Sequence, residues 1–399
     1  MLQDLAITGC KGCKRLGCES RRTHLLLNLL LNPLLNFLLI FLLSYALGVG
    51  GDGAVVWADG GYGKVTSSKV AEGIYLFTTT PYGDVGFGGN AVAILTEEGV
   101  VLFDTGGTPA GAQVILEEVR KLTSQPVRYV INSHWHWDHW AGNQVVQKAF
   151  PGTGIISSDK NRDLMIHVAV PWNAPGLERD LPGYISYLKK QLADAEAKQA
   201  TEADLSKQKA LLAADQDFLE QKRSVTYTFP NFTFSESLTL LLGSREIRIL
   251  RARAITPGDT YVYLPKERVL ITGDILVNPV PFAVGGTYPQ DWIATLEKLD
   301  ALETEVIIPG HGEAEHDKKY LEQNLKLFRH VLADVKEAKA NGMTLEQTKE
   351  SLAKNAEAYA ADLGLAERLL PSFKGYFLEV FTNRAYHELE KPLDDSPTS

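Results

Sequence analysis

The chain has 399 residues, 45% of them hydrophobic and 22% charged, with 34 glycines and 18 prolines, a balance that supports a sizeable core and excludes disordered, collagen-like and low-complexity chains. The formal net charge is −9, and beyond residue 24 there are 35 basic against 47 acidic side chains, so the basic footprint of a nucleic-acid enzyme is missing. All three cysteines, Cys10, Cys13 and Cys18, precede that point, so in the body no disulfide forms and no thiolate ligates a metal or acts as nucleophile.

Residues 1–58 read as a basic leader followed by a hydrophobic signal peptide or membrane anchor. Leu25 to Leu47 form 23 uncharged residues directly after Lys14, Arg15, Arg21 and Arg22. A helix of that length, rising about 1.5 Å per residue, spans the roughly 30 Å of bilayer hydrocarbon. The basic flank keeps its start cytoplasmic and sends the body outward, to a periplasmic or extracellular place. Cleavage near Val56-Trp57-Ala58 and retention as an anchor both fit.

After a Gly-rich linker, Gly48 to Gly63, short apolar runs predict strands at Ile74–Phe77, Ala91–Leu95, Val100–Phe103 and Val127–Ile131, with an amphipathic helix at Ala110–Leu122. Residues 177–223 have no Gly or Pro after Gly183 and an Ala/Lys/Glu/Gln-rich background, which predicts a helical insertion of two long helices. It suits a lid or a dimerisation hairpin equally. Strands are predicted again at Val225–Phe229, Leu238–Leu242, Ile247–Leu250, Tyr261–Leu264, Val269–Ile271 and Val306–Ile308. Residues 316–390 read as a helical extension and 391–399 as a frayed tail.

The chemistry concentrates in His134-Trp135-His136-Trp137-Asp138-His139. Three imidazoles and a carboxylate after a buried-looking strand are costly to place unless something binds them. Imidazole nitrogen and carboxylate oxygen suit zinc. On a loop at a strand end, His134 and His136 face one point while Asp138 and His139 turn to another, giving two adjacent metal positions. No phosphate-cradling loop or nicotinamide fingerprint is visible.

This stretch resembles the His-x-His-x-Asp-His signature of the metallo-β-lactamase superfamily. Other motifs follow in the family's order: Asp104-Thr105-Gly106, Thr256-Pro257-Gly258-Asp259, Thr272-Gly273-Asp274 and Pro309-Gly310-His311-Gly312. The resemblance implies an α/β fold, an αββα sandwich over residues 64–315. It also implies a metal set of His134, His136, Asp138, His139, Asp274 and His311, with Asp274 bridging. One departure stands out: where the family places a third histidine for the first position, this chain has Ile255. The first position then keeps His134 and His136 only, the second is expected to fill preferentially, and one or two zinc ions remain open. His167 is a candidate replacement for the missing ligand.

The reading that follows is an exported zinc-dependent hydrolase that cleaves an ester, lactone or amide, a β-lactam among them, of a small-molecule substrate. Asp138 is the first choice of proton acceptor, with His134 and His136 as the others. The alternative is a catalytically weakened metal- or ligand-binding protein of the same fold. Trp135, Trp137 and Trp140 either line a pocket or pack the loop, and Tyr288 and Trp292 are candidates for the mouth of the site. Nothing in the sequence sets the oligomeric state. Membrane anchoring rests on residues 25–47 alone.

Overall fold

The computed structural model describes residues 63–82 and 87–395. The leader and its proposed cleavage site lie outside the described residues. Among the described residues, no helix is long and apolar enough to cross a membrane.

One sheet runs in the order β1 (Val65–Ala71), β2 (Ile74–Thr79), β3 (Ala91–Thr96), β4 (Gly99–Phe103), β5 (Val127–Ile131), β6 (Gly154–Ser158) and β7 (Phe232–Phe234). It is antiparallel as far as β4 and parallel from β4 to β7. The second contains β8 (Ser237–Leu242), β9 (Arg245–Ala252), β10 (Asp259–Leu264), β11 (Val269–Val277) and β12 (Val306–His311), ordered β12-β11-β10-β9-β8. Only β11 and β12 pair in parallel there.

Side-chain alternation fixes the layers, because successive residues of a strand face opposite ways. In β4, Val101 and Phe103 join Ile249, Val262 and Ile271 of the other sheet in a shared core. Val100 and Leu102 turn to the opposite face and meet Ile115, Leu116 and Val119 of α1 (Pro109–Leu122). In β11, Val269 and Ile271 face the inner core, while Leu270 belongs to a cluster shared with the C-terminal helices. Each such side chain contributes about 1.5–3 kcal/mol when fully buried. Two mixed sheets between helical layers result, as the resemblance implied.

Helices follow their local signals. Thr108 caps α1 by accepting from the Gly111 N–H at 3.1 Å, Pro109 opens it, and Arg120 and Lys121 sit in its last turn. Next come α2 (Trp137–Trp140), α3 (Asn143–Ala149), α4 (Asp159–Leu164) and α5 (Val170–Pro175), with wider π turns at Met165–Ala169 and Gly176–Asp180. The predicted helical insertion is α6 (Leu181–Ala197) and α7 (Glu202–Arg223), although helical backbone already begins at Asp159. After α8 (Pro289–Asp300), the extension holds α9 (Lys319–Ala340), α10 (Leu345–Lys354), α11 (Ala356–Asp362), α12 (Leu370–Phe373) and α13 (Glu379–Glu388). An aromatic group of Trp292, Phe328, Phe377 and Phe381 joins it to the second sheet.

Several expectations are corrected. Val225–Phe229 is not a strand. Its backbone is held by side chains of α3, with Gln144 Oε1 accepting from Thr226 N and Asn143 Nδ2 donating to the Thr228 carbonyl, while Tyr227 and Phe229 stack near Trp140. The tail is not wholly frayed. Leu393 and Asp394 carbonyls accept from Arg253 and Tyr288, and Asp395 pairs with Arg253 at 3.1 Å; residues 396–399 lie outside the described residues. Tyr288 and Trp292 are buried away from any mouth, the Trp292 indole donating to the Ile275 carbonyl at 3.0 Å.

Candidate metal centre

Parallel strands deliver their C-terminal ends to one side of a sheet, where loops can gather side chains. Here Asp104 directly follows β4, β5 leads through Ser133 to His134 and into α2, and β12 ends at His311. Asp274 lies within β11, next to β12 in the parallel pair. The two sheets are joined at this place: Thr260 N donates to the Ser133 carbonyl at 2.8 Å, and the Asn90 side chain donates to the Pro309 and Gly312 carbonyls at 2.9 and 2.8 Å.

All six donor side chains named from the sequence meet there, in two groups of three whose ligand atoms lie within 4.8 Å of one another. One is His134, His136 and Asp274; the other is Asp138, His139 and His311. Asp274 stands between them. Its Oδ2 is 3.6 Å from His134 Nε2, whereas its Oδ1 is 3.3 Å from His139 Nε2 and 3.4 Å from His311 Nε2. Asp138 Oδ2 approaches His311 Nε2 at 3.1 Å and His139 Nε2 at 3.3 Å.

The first position therefore has three donors, not the two left by Ile255 alone. Ile255 is fully buried in the apolar layer with Leu270, Ile275 and Trp292. His167 is exposed on the first π turn and belongs to neither group.

Supporting bonds aim the ring nitrogens. Asp104 Oδ2 accepts from Ser133 Oγ at 2.7 Å and lies 2.9 Å from His139 Nδ1, which leaves His139 Nε2 directed at the centre. Ser133 Oγ is also 2.9 Å from His134 Nδ1. Asp104 has a φ of +57°, a left-handed backbone that Asp tolerates better than most residues. Close approach demands glycine at two points: a Cβ on Gly310 would collide with Asp274 Oδ1, and one on Gly89 would stand 2.6 Å from His139 Cε1.

The donors fit a divalent cation. His139 Nε2 and Asp274 Oδ1 are buried and without a hydrogen bond although they face each other, an arrangement that buried polar atoms avoid unless a further group satisfies them. Their titration points the same way. Burial opposes charge on Asp138, yet His139 and His311 hold its carboxyl far below the usual range, and Asp274 is depressed likewise against burial by His139, His311 and His134. Burial would lower His311, but Asp274 and Asp138 raise it to about 9. His139 is raised well above its ordinary value, Asp138, Asp274 and Asp104 outweighing burial. His136 falls to about 4, because burial outweighs the two carboxylates, and His134 falls well below its ordinary value through burial and its His139 and His136 neighbours. Two cationic imidazoles thus lie among two carboxylates, and a metal ion would replace their protons.

Four participants around the donors were not singled out from the sequence. Lys222 of α7 rests its Nζ 4.0 Å from the Trp137 ring centroid; burial lowers its amine to about 7 despite Asp138. Phe87 and Phe282 stand edge-on to His311 and His136 at 6.3 and 6.4 Å. Asn90, described above, ties down the His311 loop. Only Asn90 left a sequence trace, as a lone polar residue directly before an apolar strand. Of the three tryptophans, Trp140 is buried against Tyr227 and Phe229, Trp135 packs on His136 and Trp172, and Trp137 stacks near Phe87.

An αββα sandwich carrying two His/Asp triads at one strand end defines a metal-dependent hydrolase fold. The model of the metallo-beta-lactamase superfamily matches residues 84–311, and the chain belongs to that superfamily. It is 25% identical over 266 residues to a linear primary-alkylsulfatase of Pseudomonas sp. (strain ATCC 19151), a match covering 64% of this chain and 47% of that protein. The chain thus aligns with about half the length of this curated relative. Among solved structures, a metallo-beta-lactamase from Pontibacter korlensis is 18% identical with a TM-score of 0.47, covering 67% of this chain and 99% of that one.

Proposed function

We propose that the protein is a zinc hydrolase that cleaves an ester bond of a small molecule, with sulfate esters the first class to test. The observation that carries this reading is the shared carboxylate: Asp274 presents one oxygen to each of two triads built only from nitrogen and oxygen donors. That donor chemistry favours zinc. The alkylsulfatase relative supports the choice of ester. The uncharged run 25–47 supports a body working outside the cytoplasm.

When bound, zinc makes water acidic enough to lose a proton near neutral pH and polarises a substrate oxygen. The chain's own residues do the rest. His134 and His136 would hold the first ion and Asp138, His139 and His311 the second, with Asp274 between. Asp138, the first choice of proton acceptor, is kept ionised by its two imidazole neighbours, which hold it a weak base as long as they keep their protons. Asp104 fixes the His139 ring so that Nε2 points inward. His136, neutral at pH 7, keeps a nitrogen lone pair available.

The test is a metal-stripped, zinc-reconstituted full chain assayed on alkyl sulfates, carboxylic esters, lactones, β-lactams and phosphodiesters. Hydrolysis of an ester that vanishes on chelation and returns with zinc is expected. Bound zinc with no turnover anywhere in the panel would overturn the reading.

A further inference from the structure

We propose that Asn143 is a positioning residue of the metal centre: its buried amide locks together the two chain segments that aim His134 and His139, and moors the helical insertion to them. The inference rests on the metal centre described above and not on the bond that is cleaved.

Asn143 opens α3 at 0% exposure. Its Oδ1 accepts from Thr105 Oγ1 at 3.0 Å and from Asn132 Nδ2 at 3.1 Å, while its Nδ2 donates to Asn132 Oδ1 at 2.8 Å and to the Thr228 carbonyl at 3.0 Å. That is the whole capacity of a primary amide, two acceptor positions and two N–H bonds. Thr105 and Asn132 are as deeply buried, at 1% and 0%. Thr105 directly follows Asp104, the carboxylate that orients His139, and its own N–H donates to the His139 carbonyl at 2.9 Å. Asn132 directly precedes Ser133, whose Oγ lies 2.7 Å from Asp104 Oδ2 and 2.9 Å from His134 Nδ1. Asn143 is bonded to no metal donor, yet it joins the backbone behind both of these rings.

The joint is close-packed as well as bonded. A Cβ on Gly142 would stand 2.3 Å from the Thr105 carbonyl oxygen and 2.4 Å from Ala112 Cβ, so α3 starts hard against the Asp104 segment. Buried amide bonds add little net stability over apolar packing, but a network with every member satisfied allows one relative placement of the groups it joins. The fourth bond reaches the insertion. Thr228 lies between α7 and β7, and the neighbouring Gln144 holds the same stretch, accepting from Thr226 N and donating to the Ser224 carbonyl at 3.3 Å. The insertion supplies no metal donor, and this joint gives it a hold on the centre.

The experiment uses the full chain, stripped of metal and then titrated with zinc against a chromophoric chelator and, separately, with cobalt, whose d–d absorption reports coordination. Asn143→Leu should lower zinc affinity by about 10–100-fold, the usual cost of losing a group that orients metal ligands, and should shift the cobalt bands. Thr105→Val removes one hydroxyl at nearly constant shape and should lower affinity by about tenfold, while Thr105→Ser, which keeps the hydroxyl, should retain it. Leu352→Ala, at a position 2% exposed in α10, controls for lost stability: its melting temperature should fall with affinity and cobalt bands unmoved. Affinity and bands in Asn143→Leu equal to those of the unaltered protein, or moved as far by Leu352→Ala, would overturn the positioning role. Should Asn143→Leu fail to fold, the threonine pair decides by the same readouts, and equal affinity in Thr105→Val and Thr105→Ser would overturn it. Weakened zinc in these variants of a protein that turns over no ester would uphold the positioning role and remove the proposed function. Ester turnover with zinc affinity indifferent to Asn143 and Thr105 would do the reverse.

Discussion

Replacing Asp274 with Asn tests the shared carboxylate at nearly constant shape. The side chain is 3% exposed, with imidazole nitrogens at 3.3, 3.4 and 3.6 Å drawn from both triads. Removing one partner of a buried ionic arrangement costs about 3–5 kcal/mol. At 1.4 kcal/mol per power of ten, zinc affinity should fall by about two to three and a half powers of ten. Because one oxygen faces each triad, both ions should weaken together. His311→Ala touches only the second triad and should weaken one. Chelator competition, with stoichiometry from calorimetry, reads both quantities. An Asp274→Asn protein that keeps one zinc at the original affinity would refute the shared role.

Three further outcomes follow from burial and charge. His311 is raised to about 9 from an ordinary 6.5, so its ion pairs contribute about 3 kcal/mol to the metal-free fold. That contribution is complete below pH 6.5 and lost as pH climbs through 9, so the metal-free melting temperature should drop across this window and the drop should shrink in His311→Ala, the remainder belonging to the raised His139. Ile255→His places an imidazole in a fully buried apolar layer, which should cost about 2–4 kcal/mol without raising the zinc count; a third bound ion would contradict this. Lys222 is depressed to about 7 from 10.5, a penalty on folding that is complete below pH 7 and gone above 10.5. Lys222→Met should therefore stabilise the protein by about 4 kcal/mol at pH 7, less as pH approaches 10.5, and a loss of stability at pH 7 would contradict that.

Much of the architecture was legible because two-residue alternation survives in the strands that separate two cores. Val100 to Phe103 shows it, and so does Val269 to Ile271. The donor residues were legible because three histidines and an aspartate so near one another have few other uses. What stayed hidden depends on tertiary placement. The resemblance implied a bridging Asp274, but nothing in Thr272-Gly273-Asp274 itself tells which carboxylate oxygen faces which triad. Val225–Phe229 has strand-like residues, but α3 side chains occupy its backbone groups. In β6, a fully buried parallel strand, only two large apolar residues, Ile155 and Ile156, mark the run. Phe87 and Phe282 lie 195 positions apart, and only the joining of the two sheets brings them to one rim.

The most direct measurement is anomalous diffraction at the zinc edge from crystals of the zinc-reconstituted protein. Two peaks are predicted, one among His134, His136 and Asp274 and one among Asp138, His139, His311 and Asp274. Peaks elsewhere, or none at this place in a protein that binds zinc in solution, would contradict the account.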